Sequence, residues 1–106
     1  MNKYIITIGL NDRDTLKQEL ETWEAKKLIT RTCLNNGLKA FTMSECQGVY
    51  KMQSNGEIVC ENSIRLEICT DKGMKRKIAR ICDLLKTDLN QESVMLECST
   101  ANISFV

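Results

Sequence analysis

The chain has 106 residues, 42% of them hydrophobic and 27% charged, with 15 Lys+Arg against 14 Asp+Glu. That is the size of one domain, 1–106, with enough apolar residues for one core, and it excludes a disordered chain. No apolar stretch approaches the ~18 residues of a membrane helix, and the start lacks the apolar run of ~7–15 residues that an export signal needs, so a cytoplasmic protein is expected.

Residues 3–10 alternate. Tyr4, Ile6, Ile8 and Leu10 share one face, and Ile5, Thr7 and Gly9 the other. Alternation with β-branched residues predicts a strand. Residues 11–21 are polar, with Leu16 and Leu20 as the only anchors, and read as a long connection. Thr22 is the expected N-cap of a helix over 23–36, with Ala25, Leu28, Ile29, Thr32 and Cys33 on its apolar face. Trp23 is expected as a core or staple residue, and Asn36-Gly37 as the helix end.

Residues 38–52 read as a strand bending at Gly48, a bulge candidate. Asn55-Gly56 suits a type I′ hairpin turn. In the return strand, Ile58, Cys60, Ile64, Leu66 and Ile68 face inward, while Val59, Glu61, Ser63, Arg65, Glu67 and Cys69 face out. Asp71 is the expected cap of a second helix over 72–86, whose apolar stripe is Met74, Ile78, Ile81, Cys82 and Leu85. Val94, Leu96 and Cys98 alternate in a last strand, and Ala101, Ile103 and Phe105 extend it or add an edge strand. The order β-α-β-β-α-β predicts an α+β, ferredoxin-like domain: a four-stranded antiparallel sheet with two helices on one face.

Neutrality of the whole chain hides a split. The two predicted helices hold nine basic residues against two acidic ones, +7, and the remainder is −6. Lys72, Lys75, Arg76, Lys77 and Arg80 form the densest cluster. The open sheet face is expected to be acidic, through Glu61, Glu67, Glu97 and Glu45. Such asymmetry steers charged partners. Partner contact is therefore assigned to Lys72, Lys75, Arg76 and Arg80 on the basic side and to Glu61 and Glu67 on the acidic side. Glutamates stand where base-stacking aromatics would lie, which disfavours RNA binding on the sheet.

Six cysteines are present, none closer than nine residues to the next, and histidine is absent. Without C-x-x-C or histidine, no metal and no cofactor is expected. Most of the cysteines fall at predicted core positions and read as small reduced hydrophobes. A nucleophilic thiol needs a base or a cationic setting, and for Cys46 and Cys60, without histidine, only lysine could serve. Asp12 and Asp14 lack the further ligands of a cation loop. No catalytic set is visible, so a non-enzymatic protein is expected.

Several segments carry a resemblance. Trp23, Gly37-Leu38, Phe41-Thr42, Gln47-Gly48-Val49-Tyr50, Asn55-Gly56, Glu61-Asn62-Ser63, Gln91-Glu92-Ser93-Val94 and Ile103-Ser104-Phe105 resemble, in order and spacing, a small bacterial family classed as a domain of unknown function. More loosely, Gly48-Val49-Tyr50, Gly56-Glu57-Ile58 and Leu66-Glu67-Ile68-Cys69-Thr70 look like the trimeric copper-tolerance and nitrogen-regulatory signalling proteins. The signalling branch binds nucleotide through a glycine-rich loop after its second helix. Here that place holds Lys86-Thr87-Asp88-Leu89-Asn90-Gln91, without glycine, which counts against phosphate binding.

The expected function is a cytosolic binding module that regulates or inhibits a protein or nucleoprotein partner. One version is a phage or mobile-element inhibitor of a host nuclease, of the anti-CRISPR kind. A trimeric small-ligand sensor and a nucleic-acid-backbone binder are the alternatives. A homo-oligomer is compatible with each.

Overall fold

The computed structural model describes residues 1–71 and 73–106. Six elements follow the expected order: β1 (Asn2–Gly9), α1 (Thr22–Asn35), β2 (Thr42–Lys51), β3 (Ile58–Thr70), α2 (Lys75–Asp88) and β4 (Met95–Thr100). The strands form one antiparallel sheet in the order β2-β3-β1-β4. This is the ferredoxin-like α+β arrangement.

Alternation decides the two faces. Tyr4, Ile6 and Ile8 of β1 sit opposite Ile68, Leu66 and Ile64 of β3, and all six are buried. Ala25, Ile29 and Cys33 of α1 and Ile78, Ile81 and Leu85 of α2 close the core over them. The other face of the sheet is uncovered. Gly37 ends α1 as expected, in the left-handed region at φ +94.

Several local expectations fail, each for a visible reason. Thr22 does not cap α1, because its hydroxyl accepts a bond from Gln18 Nε2. The cap is Glu21, whose N–H donates to Glu24 Oε1 at 3.2 Å. Asp71 does not cap α2, which starts only at Lys75 after Met74. Trp23 is not a core residue; it is 66% exposed, on the solvent side of the first turn. Gly48 makes no bulge, since the β2–β3 register runs unbroken through Gly48 and Glu61. The hairpin is closed by residues 52–57 instead of a two-residue turn. Met52 N–H donates to Glu57 O, Gly56 N–H donates to Met52 O, and Gly56 takes φ +73.

Residues 38–41 are not strand, and 101–106 add none, although Ala101 N–H bonds Met1 O. Among the cysteines only Cys33 is fully buried, and Cys60, Cys69 and Cys98 are exposed. Burial, helped by the neighbouring Cys82, pushes the Cys33 thiol up to about 11, so it stays protonated and inert at neutral pH. Among the described residues no helix is long and apolar enough to cross a membrane.

Candidate functional site

The open sheet face carries Lys3, Ile5, Thr7 and Gly9 from β1, with Glu61, Ser63, Arg65 and Glu67 from β3. Gly48 and Tyr50 join from β2, and Met95 and Glu97 from β4. Glu45 is not on this face. It pairs with Ile64, so it points to the helix side, where its carboxylate meets Lys26 of α1 at 3.6 Å.

The two glutamates assigned to partner contact have different surroundings. Glu67 lies between cations, 3.8 Å from Lys3 and 3.5 Å from Arg65. Glu61 is six residues away along the strand, roughly 20 Å, and sits in a cleft. Its Oε2 accepts a bond from the Asn11 N–H at 3.1 Å. The carboxylate rests directly on Gly9: a Cβ built on Gly9 would lie 2.5 Å from Glu61 Oε1 and 2.7 Å from Oε2. Gly48, the register partner of Glu61 on β2, leaves the other side open. Two side-chain-free strand positions thus make room for one acid at the sheet surface.

The cleft has a volume of about 570 Å³, within the range of ~300–1,000 Å³ usual for small-molecule sites. Thr7, Gly9, Gly48, Glu61 and Ser63 form its floor. Tyr50 and Met52 line it from the β2 edge, Met95 from the β4 edge, and Leu16 joins the loops at 11–13 and 91–93. Asp12, Glu61 and Glu92 outnumber Arg13 among the charged groups of the lining, so the cleft favours a cation.

The two loops are bolted together. Arg13 N–H donates to Asn90 O at 2.9 Å. Asn90 Nδ2 donates to both Asp12 oxygens at 3.0 Å and to Asp14 Oδ2 at 2.8 Å. Asp12 also accepts the N–H groups of Asp14 and Thr15. The Asn90 amide first, then these backbone donors, hold the Asp12 carboxyl below its usual 3.8. Asp12 and Asp14 therefore act as loop fasteners.

The basic assignments lie elsewhere. Lys75, Arg76 and Arg80 are exposed on α2, on the far side of the sheet from the cleft, as is Lys77. Lys72 lies outside the described residues. The structure therefore does not bring the basic and acidic candidates together. Sequence reasoning missed Gly9, Asn11 and Gln91 as site residues. The available signal was glycine inside two strands, which marks a close approach as well as a bulge.

No family model matches the chain, and no curated protein does. Solved structures do. A phage SAM lyase in complex with S-methyl-5′-thioadenosine shares 24% identity over 92% of this chain and 79% of its own, with a TM-score of 0.73. The periplasmic divalent cation tolerance protein CutA from Archaeoglobus fulgidus shares 11% over 99% of this chain and 88% of its own, TM-score 0.66. A DUF3240 family protein from Shewanella baltica shares 8% over 99% and 94%, TM-score 0.59. The expected likeness to copper-tolerance proteins and to a domain of unknown function is present, at the level of fold.

Proposed function

We propose that the chain binds S-adenosylmethionine in the Glu61 cleft and cleaves it to S-methyl-5′-thioadenosine. The observation that carries this reading is the Glu61 carboxylate seated over Gly9 in a ligand-sized cleft. It is supported by likeness of fold, over 92% of the chain, to a phage lyase holding that thioadenosine.

The chemistry suits what this chain offers. S-methyl-5′-thioadenosine keeps the methyl and adenosyl groups, so the bond that breaks joins sulfur to Cγ of the amino-acid arm. The bonding pair returns to sulfur. A neutral thioether leaves without needing a proton, so no general acid is required. Closure of the arm's own carboxylate on Cγ replaces the lost bond without a base. A chain without histidine can support such a step by binding and orientation alone.

The role of Glu61 follows from charge. Positive charge on sulfur disappears as the bond breaks, so a carboxylate against sulfur would hold the ground state more than the transition state. Glu61 is therefore assigned to the α-ammonium, whose charge persists. Tyr50 and Met52, at the β2 edge, offer the adenine an apolar and aromatic side. The expectation of a chain without catalysis rests on the missing histidine and motif; this reaction asks for neither, and turnover decides between the two. Released thioadenosine is measured by chromatography. Wild-type protein should produce it, and Glu61→Gln should lower kcat/KM about a hundredfold, chiefly through KM. Absence of both turnover and calorimetric binding by the wild type sinks the proposal.

A second reading keeps the regulator or inhibitor of a protein or nucleoprotein partner, including the anti-CRISPR version. It is favoured by Lys75, Arg76, Lys77 and Arg80, which stand exposed on the first two turns of α2, with no acidic residue in the first turn and no ion pair to these four among the described residues. Arg76→Glu with Arg80→Glu should then abolish capture of the partner while leaving the cleft untouched. Capture by the double variant at wild-type yield removes this reading. Under either reading a homo-oligomer is expected at β4, an edge strand exposed at all six residues, because such an edge invites pairing with another copy.

A further inference from the structure

We infer that Gln91 is the positioning residue for Glu61, acting through the Asn11 backbone. The inference rests on the proposed S-adenosylmethionine site and adds to it the device that holds its acid in place. Gln91 follows α2 and is one of two buried polar side chains among the described residues. Its Nε2 donates to Asn11 O at 2.6 Å and to Leu89 O at 3.2 Å. Both partners are carbonyl oxygens, so the orientation of the amide is fixed by chemistry: only the nitrogen end satisfies both. The same residue, Asn11, donates its N–H to Glu61 Oε2 at 3.1 Å.

The connection is therefore continuous. The end of α2 supplies Leu89 O, Gln91 bridges to Asn11 O, and Asn11 N–H reaches the carboxylate. Asn11 stands just past β1, where Leu10 N–H bonds Asn62 O and Asn11 bridges Gln18. The Asn62 bond fixes the chain on the β3 side. Gln91 fixes it on the cleft side, and both are needed to aim one N–H at a carboxylate. Without the amide of Gln91, the Asn11 carbonyl would be left without this buried donor and the segment would turn to find water. Glu61 would then lose its place. A site that binds an ammonium through a single acid depends on that place to within about half an ångström.

Two measurements test this. In the unaltered protein, NMR couplings across the hydrogen bonds should link Asn11 N to Glu61 Cδ and Gln91 Nε2 to the Asn11 carbonyl carbon. Failure to find either coupling overturns the inference, whether or not any ligand binds. The second is a double-mutant cycle on S-adenosylmethionine affinity with Gln91→Met and Glu61→Gln, and with Gln91→Glu replacing Gln91→Met if the apolar variant does not fold. Each single change should weaken binding about tenfold or more. The double variant should be less than twofold weaker than Glu61→Gln alone, because Gln91 acts only through Glu61. Fully multiplied losses would mean that Gln91 merely supports the fold, and would overturn the inference. Wild-type protein that binds no S-adenosylmethionine removes the function proposed above and leaves the couplings to judge Gln91.

Discussion

Gly9→Ala should leave the protein folded and cost the cleft its ligand. The added methyl would stand 2.5 Å from Glu61 Oε1, closer than carbon and oxygen approach without bonding. The atoms it meets are the far end of a flexible side chain, so the carboxylate swings away and the sheet stays. Gly9 is not among the positive-φ residues, and alanine tolerates its backbone. Removing a glycine also narrows the unfolded ensemble, worth ~0.4–1 kcal/mol in favour of the fold. The lost Asn11–Glu61 bond offsets that gain, so the melting temperature should change by only a few degrees. Binding behaves differently. With Glu61 swung out of place, the ligand's ammonium loses its charge-assisted hydrogen bond, worth ~1.5–3 kcal/mol, or roughly 10–150-fold in affinity. Thermal melts and calorimetry with S-adenosylmethionine on the same sample separate the two effects. Unchanged affinity would mean that Glu61 does not hold the ligand. A large fall in melting temperature would mean that Gly9 serves the fold.

The fold was legible because its signals are periodic. Alternation in 3–10 and 64–68 and the four-residue spacing of Ala25, Ile29 and Cys33 each report one buried face, whereas Ile58 and Cys60, expected inward, lie exposed; the order of elements leaves one compact solution. Ends of elements were less legible. Thr22 and Asp71 have cap chemistry, yet Thr22 is engaged by Gln18 and the second helix starts late. Side-chain type at the termini cannot show which acceptor will be taken.

The cleft was legible only in fragments. Gly48-Val49-Tyr50, Glu61-Asn62-Ser63 and Gln91-Glu92-Ser93 each read as pieces of a resemblance, and of these residues only Glu61 carried a role, as an acidic contact. In the fold, Gly48, Tyr50, Glu61, Ser63, Gln91, Glu92 and Ser93 all line one cleft. What joined them is register: the β2–β3 ladder puts Gly48 beside Glu61, and the antiparallel β1–β3 pairing puts Gly9 beside Ser63. Neither pairing follows from spacing along the chain. The charge split, the loudest signal in the sequence, instead marks a helix surface remote from the cleft. Loud and local signals found the fold; the site is made of residues that are individually bland.

Leu66→Ala should strongly destabilise the protein and Leu96→Ala should be close to neutral, although alternation puts both on the inward face. Leu66 lies on β3, flanked by Met43 of β2 and Ile6 of β1, beneath the helix layer and fully buried. A buried leucine truncated to alanine costs ~2–5 kcal/mol, because the cavity adds to the lost transfer energy. At about 4–8 °C per kcal/mol for a domain near this size, the melting temperature should fall by roughly 8–40 °C. Leu96 also faces Ile6, but from β4 at the sheet edge, beyond the reach of the helices, and is 43% exposed. Its truncation should cost less than about 1 kcal/mol. The pair reads the assembly as well as the fold. If Leu96→Ala costs as much as Leu66→Ala, something covers β4 in solution. Were a second copy the cover, that cost would shrink on dilution, since the stability of a dissociating oligomer depends on protomer concentration.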